Sequence, residues 1–148
     1  RVEQRAHSLF GGKNVISLRN WLPVHEYNDI LTRCSIVFMN HIRGQAMGNI
    51  CSMLFRGAKV YLRPENPYAE FLENLGVHFH YIGDSIDKDA FTPLAQHEKS
   101  TNARIMAEHW NKHAVEERTV EIFRAVGREV ERRRAERARR EPVPLNHA

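Results

Sequence analysis

One short apolar run, followed by a polar bend and then by apolar residues at helical spacing, constrains this chain more than any other feature. Ile36-Val37-Phe38-Met39 is too short and too continuous for an amphipathic helix and suits a strand covered on both faces, as in a parallel sheet. Asn40 ends it. From about Gly44 the period changes: Met47, Ile50, Cys51 and Leu54 recur at i, i+3, i+4 and i+7, the buried stripe of a helix, and Gly57 supplies a C-terminal stop. Gln45, Asn49, Ser52 and Arg56 fall on the opposite face.

A bend that leaves a parallel strand and opens a helix has chemical consequences. The first backbone N–H groups of a helix lack internal acceptors, and the helix dipole adds positive potential there, so the place suits an anion. Gly48 removes the Cβ that would keep a ligand off the backbone. Arg43 can fork two donors onto a phosphate, while His41, Gln45 and Asn49 add directional donors. A diphosphate fits that set. The competing reading is that Gly48 only lets the helix pack on the sheet, with Asn40 as a turn residue and His41 solvated. Both stay open on pattern alone.

The neighbouring segments repeat the strand and helix alternation. Residues 1–10 read as a helix stopped by Gly11-Gly12, and Asn14 to Leu18 as a strand. The Arg19-to-Pro23 turn opens a helix with Pro near its start and Tyr27, Ile30 and Leu31 as its stripe. In a doubly wound sheet that turn shares a rim with Asn40 to Gly48, where Trp21 either covers a nucleotide base or packs. Ala58 to Arg63 is the next strand. Asn66 is an N-cap with Pro67 at the first helical position, Tyr68, Phe71, Leu72 and Leu75 form the stripe, and Gly76 is the stop. Glu65 and Asn66 therefore reach the same rim, where a carboxylate or amide can accept ribose hydroxyls, capping being the other role open to Asn66. Val77 to Ile82 alternates as an edge strand does, with His78 and His80 on its solvated face. Four strands joined by short helical crossovers imply an α/β fold with a parallel sheet flanked by helices.

The C-terminal third is helical. Met106, Trp110 and Ala114 form one stripe and Val115, Thr119, Ile122, Phe123, Val126 and Val130 a second, so the segment is either two helices or one long bent helix. His109 and His113 at i, i+4 lack a third ligand candidate and read as solvated. Asp87-Lys88-Asp89 has the form of a cation-binding DxD but follows the wrong strand, so no metal site is expected.

Charge narrows the partners. The chain of 148 residues carries net +4, and the segment from Gly127 to Glu141 holds seven Arg against four Glu, so the rest is close to neutral. This sets a domain over 1–126 apart from a basic helical tail over 127–148, a solvated helix with i, i+4 pairs or a weak tether to anionic lipid. No face combines basic residues with stacking aromatics, which argues against nucleic acid. Cys34 and Cys51 lack paired spacing and read as core thiols, and no apolar run is long enough to span a bilayer. The chain opens at Arg1 within a helical pattern, which suits a piece of a longer protein.

The stretch from Phe38 to Ile50 resembles the Phe-Asn-His-x-Arg-Gln-Gln-Ala-x-Gly-Asn-Ile signature of the TDP-N-acetylfucosamine:lipid II N-acetylfucosaminyltransferases, which extend the lipid-linked repeat of enterobacterial common antigen. The likeness runs on through Trp21-Leu22-Pro23, Tyr27, Gly57, Val60 to Arg63 and Asn66-Pro67, and Gly44 stands where the pattern has a second Gln. It implies a Rossmann-like, C-terminal donor-binding half of a GT-B glycosyltransferase, inverting and free of metal and other cofactors. It also implies a TDP-sugar donor of the 4-acetamido-4,6-dideoxygalactose type, an undecaprenyl-diphosphate-linked saccharide acceptor, and peripheral contact with the cytoplasmic face of the inner membrane. Arg43 would stabilise the leaving diphosphate. Asn40, His41, Gln45, Gly48, Asn49, Glu65 and Asn66 would hold the donor, with the base on a preceding half. A non-catalytic nucleotide-binding module, or the same family with another sugar and acceptor, are the alternatives.

Overall fold

The computed structural model describes residues 1–83 and 88–140. Asp87 of the DxD pattern, Pro142 and Pro144 lie outside the described residues. The chain divides into two units, Arg1–Ser35 and Ile36–Ala148.

In the first unit, helix α1 (Val2–Phe10) ends at Gly11, whose positive φ closes the helix, and a 3-10 turn follows at Gly12–Asn14. Helix α2 (Val24–Thr32) begins one residue after Pro23, with Tyr27, Ile30 and Leu31 half-buried. The expected strand at Asn14 to Leu18 is absent: Val15 to Leu18 runs extended without a ladder partner, and Ile16 and Leu18 are exposed. Trp21 is 96% exposed, so the packing reading of that ring fails, and with no strand before it the shared-rim argument loses its basis. Cys34, expected in the core, is exposed.

The second unit is built on a parallel sheet ordered β1 (Ile36–Met39), β2 (Lys59–Leu62) and β3 (His80–Tyr81), three strands among the described residues rather than four. Helix α3 (Met47–Phe55) connects β1 to β2, and α4 (Pro67–Asn74) connects β2 to β3. Both helices end on a glycine in the left-handed region, Gly57 at φ +80° and Gly76 at φ +75°, as expected of C-terminal stops. β2 is the central strand and is buried at every residue. β1 is an edge strand with Phe38 partly exposed, so its apolar run is covered on one side rather than both. Ile50, Leu54, Val60, Leu62 and Leu72 are fully buried, each contributing about 1.5–3 kcal/mol.

Phe38 stacks on Tyr61 at 4.7 Å between ring centroids, and Tyr61 on His80 at 5.2 Å, an aromatic row across the three strands. His80 is therefore half-buried, not solvated, and burial followed by the Lys59 charge pulls its pKa below the usual imidazole value. Lys59 itself is buried and donates to the Asp89 carbonyl at 2.8 Å. β3 is short because a side chain takes over its edge. The fully buried Asn102 accepts from His78 N–H at 2.8 Å and donates to His78 C=O at 2.8 Å, the two bonds that a neighbouring strand would make.

Asn102 belongs to α5 (Gln96–Trp110), and α6 (Lys112–Arg140) follows, so the C-terminal third is two helices. Asn111 breaks them with an extended backbone and caps α6 by accepting from Ala114 N–H at 2.9 Å. The break separates His109 from His113. His109 is half-buried against Phe71 and Trp110, with its pKa lowered by burial and by Arg118, while His113 pairs with Glu117 at 3.3 Å. The expected boundary at 126/127 falls inside α6, which runs through Gly127 unbroken.

Candidate functional site

The β1–α3 bend leaves the carboxyl end of β1, as a ligand turn in a parallel sheet must. Its geometry is unusual at Ala46. This N-cap residue has φ 58° and ψ 27°, the only non-glycine residue with positive φ among those described, and its methyl cannot cap the helix. Among the described residues no group accepts from the backbone N–H of Met47, Gly48 or Asn49. A Cβ built on Gly48 meets nothing within 4 Å, so the helix packing does not require a glycine there. The packing explanation for Gly48 fails, and open space in front of free N–H groups remains.

The side chains ahead of the helix divide into held and free. Arg43, Gln45 and Asn49 have no side-chain hydrogen bond or ion pair among the described residues, and Arg43 and Gln45 are exposed. His41 is held. Asn66, 2% exposed, accepts from Tyr68 N–H at 3.0 Å through Oδ1, which turns its Nδ2 toward His41. That Nδ2 lies 3.2 Å from the His41 carbonyl and 3.1 Å from His41 Nδ1. Nδ1 also lies 3.0 Å from the Arg43 carbonyl. The first ring contact needs a lone pair on Nδ1 and the second a proton, so a neutral ring satisfies one at a time. Nε2 is left as the buried side-chain polar atom without a partner among the described residues.

Asn66 thus spends its amide on capping α4 and bracing the neighbouring bend. Tyr68 adds a second brace, donating from its hydroxyl to the Gly44 carbonyl at 3.3 Å. A Cβ on Gly44 would lie 3.4 Å from Pro67 and 3.5 Å from Tyr68, in ordinary van der Waals contact, so both rings pack close against the backbone there. Glu65 is also committed. Arg63 donates to it from Nε and Nη2 at 3.1 Å each, and from Nη1 to Asn40 Oδ1 at 3.4 Å. The Arg63 bonds and charge hold the Glu65 carboxyl below its usual range. Sequence reasoning assigned Arg63 no role, although the signal existed. Met39 pairs with Leu62, so the residues that follow them, Asn40 and Arg63, leave adjacent strands side by side.

The 4-alpha-L-fucosyltransferase glycosyl transferase group 56 family matches residues 1–112. The chain belongs to this family. No solved structure matches the chain. A fucosyltransferase of this group catalyses glycosyl transfer and so engages a sugar donor and an acceptor. Among the described residues no cluster of three or more His, Cys, Asp or Glu gathers that could hold a metal ion.

Proposed function

We propose that the β1–α3 bend binds the diphosphate of a TDP-activated sugar, and that the parent enzyme transfers N-acetylfucosamine to a lipid-linked saccharide at the cytoplasmic membrane face. The observation that carries this reading is the open start of α3: three unclaimed N–H groups, a clear approach over Gly48 and a free Arg43 beside them. In glycosyl transfer from a nucleotide donor, charge develops on the departing diphosphate as the anomeric bond breaks. Preorganised donors at that position lower the barrier without needing a metal to do so. The α3 N–H groups and helix dipole take the phosphate oxygens, and Arg43 follows the developing charge with a bidentate contact. Gln45 and Asn49 orient the donor, and the held His41 presents its ring beside them. The unit is then the donor-binding, Rossmann-like half of a GT-B enzyme, and deprotonation of the acceptor hydroxyl falls to a group outside this bend.

The test is Arg43→Ala in the full-length enzyme. Transfer should fall at least tenfold, about 1.4 kcal/mol in the barrier, with the melting temperature unmoved because the side chain is exposed. Unchanged turnover removes Arg43 from the role. Calorimetry of this chain with TDP addresses the alternative class: no heat of binding at millimolar nucleotide points to an interaction module instead.

A further inference from the structure

The family match ends at residue 112, where α6 begins, so nothing above assigns this helix a purpose. α6 meets α5 near its start, where Ala114 and Arg118 are half-buried and Arg118 lies over the Trp110 ring. At about 100° per residue, Val115, Thr119, Ile122, Val126 and Val130 share a different face, centred about a quarter-turn or more from Ala114 and Arg118. That face is uncovered, with Ile122 63%, Phe123 at its border 72% and Val126 55% exposed.

The stripe is symmetric about Val126. Counting back 4, 7 and 11 residues gives Ile122, Thr119 and Val115, and counting forward the same steps gives Val130, Arg133 and Arg137 on the same face. Steps of three and four are the seam of paired helices, and a seam that reads alike in both directions fits a second copy of itself running the opposite way. Charge selects the same direction. Residues 112–123 hold two basic side chains against three Glu, whereas residues 124–139 hold seven Arg against three Glu. A parallel pair would set the two arginine-rich halves together, and an antiparallel pair sets each against the acidic half of the other. We propose that α6 pairs with α6 of a second copy in an antiparallel, two-fold contact centred on Val126. Val126 then meets its own counterpart, Ile122 meets Val130, and the methylene stems of Arg133 and Arg137 lie along Thr119 and Val115. On one flank Glu116, whose own-chain pair is the exposed Lys112 at 3.7 Å, comes opposite Arg134. Phe123 comes opposite Gly127, where a Cβ would meet nothing within 4 Å. Arg124, Arg128 and Arg139 stand on the far side and stay in water. The proposal rests on α6 alone and does not depend on what the β1–α3 bend binds.

Sedimentation equilibrium of the full chain at about 100 µM should show a dimer, and Val126→Asp, at an exposed position, should weaken it at least about tenfold while circular dichroism shows the helix intact. Direction is tested by cysteine cross-linking in a Cys34→Ser/Cys51→Ala background. Val126→Cys should cross-link to itself, whereas two copies of Val115→Cys, about 33 Å apart along the antiparallel pair, should not. Glu116→Lys and Arg134→Glu should each weaken the dimer several-fold, and the double variant, which restores opposite charges, should recover it. A chain that stays monomeric at this concentration overturns the proposal. So does a dimer indifferent to Val126→Asp, self-cross-linking of Val115→Cys, or a charge exchange that recovers nothing.

Discussion

The two strand-to-helix bends of the sheet leave adjacent parallel strands and yet are finished in opposite ways. After β2, the chain closes itself: Asn66 caps α4, Pro67 takes the first helical position, and Arg63 clips Glu65 in a bidentate pair. After β1, the same local problem is left unsolved. Ala46 sits in the left-handed region with no side chain able to cap, and the first N–H groups of α3 have no acceptor. A protein that can close one bend with a single asparagine has no folding reason to leave its neighbour open. The closed bend serves structure and even lends its Asn66 and Tyr68 to hold the open one in shape. On the proposed function, the open bend is the place for the ligand.

The largest expected effect tests the closed side. Asn66→Ala removes an N-cap and a buried donor to the His41 carbonyl at once. Stability should fall by about 2–3 kcal/mol, the sum of a lost cap and a lost buried hydrogen bond. Urea denaturation measures it. A loss under about 0.5 kcal/mol would mean that the brace between the bends is not made in solution.

Gly48→Ala tests the open side, and here stability and function should part. Its φ lies outside the left-handed region and a Cβ meets nothing within 4 Å, so alanine fits and should stabilise α3 by about 0.5–1 kcal/mol. The methyl then stands where the ligand approaches, and Gly48→Val, with a larger group in the same space, should weaken TDP binding further. Binding that survives valine unchanged would detach the diphosphate from this bend. Ala46→Gly sharpens the comparison from the other direction. Relieving a left-handed alanine should recover up to about 1 kcal/mol, seen as a higher urea midpoint, and no gain would show that the bend relaxes out of that conformation.

How legible these bends were in the sequence follows from how each is built. Asn66-Pro67 and Gly76, like Gly57, act through their own side chain or lack of one, and the helix they bound stands where those residues put it. Strands need partners, which local pattern does not supply. Val15 to Leu18 alternates plausibly but finds no ladder, and most of the expected Val77-to-Ile82 strand gives way because Asn102, remote in sequence, occupies its edge. The open bend was legible in its residue types, since Arg43, Gly48 and Asn49 announced donors and space. Its backbone was not: alanine carries no signal for the left-handed region, and the conformation of Ala46 is imposed by its surroundings. Asn66 and Glu65 were placed on the rim as ligand contacts, whereas their first commitments are to Tyr68, His41 and Arg63.

The smallest effect expected is a pH dependence confined to the closed bend. Because Arg63 lowers the folded-state pKa of Glu65, the pair favours the fold above the ordinary carboxylate range, and that contribution disappears as pH falls through the lowered value. Both side chains are well exposed, so solvent screening keeps the contribution small. Denaturation of the chain and of Glu65→Gln should show a slight deficit for the variant at neutral pH that closes as the pH falls below the ordinary carboxylate range. The open bend offers no carboxylate, so TDP binding should not share this acid limb beyond the protonation of the nucleotide itself. If Glu65→Gln instead weakened TDP binding strongly at neutral pH, the carboxylate would be touching the ligand. The closed bend would then belong to the site rather than to its scaffold.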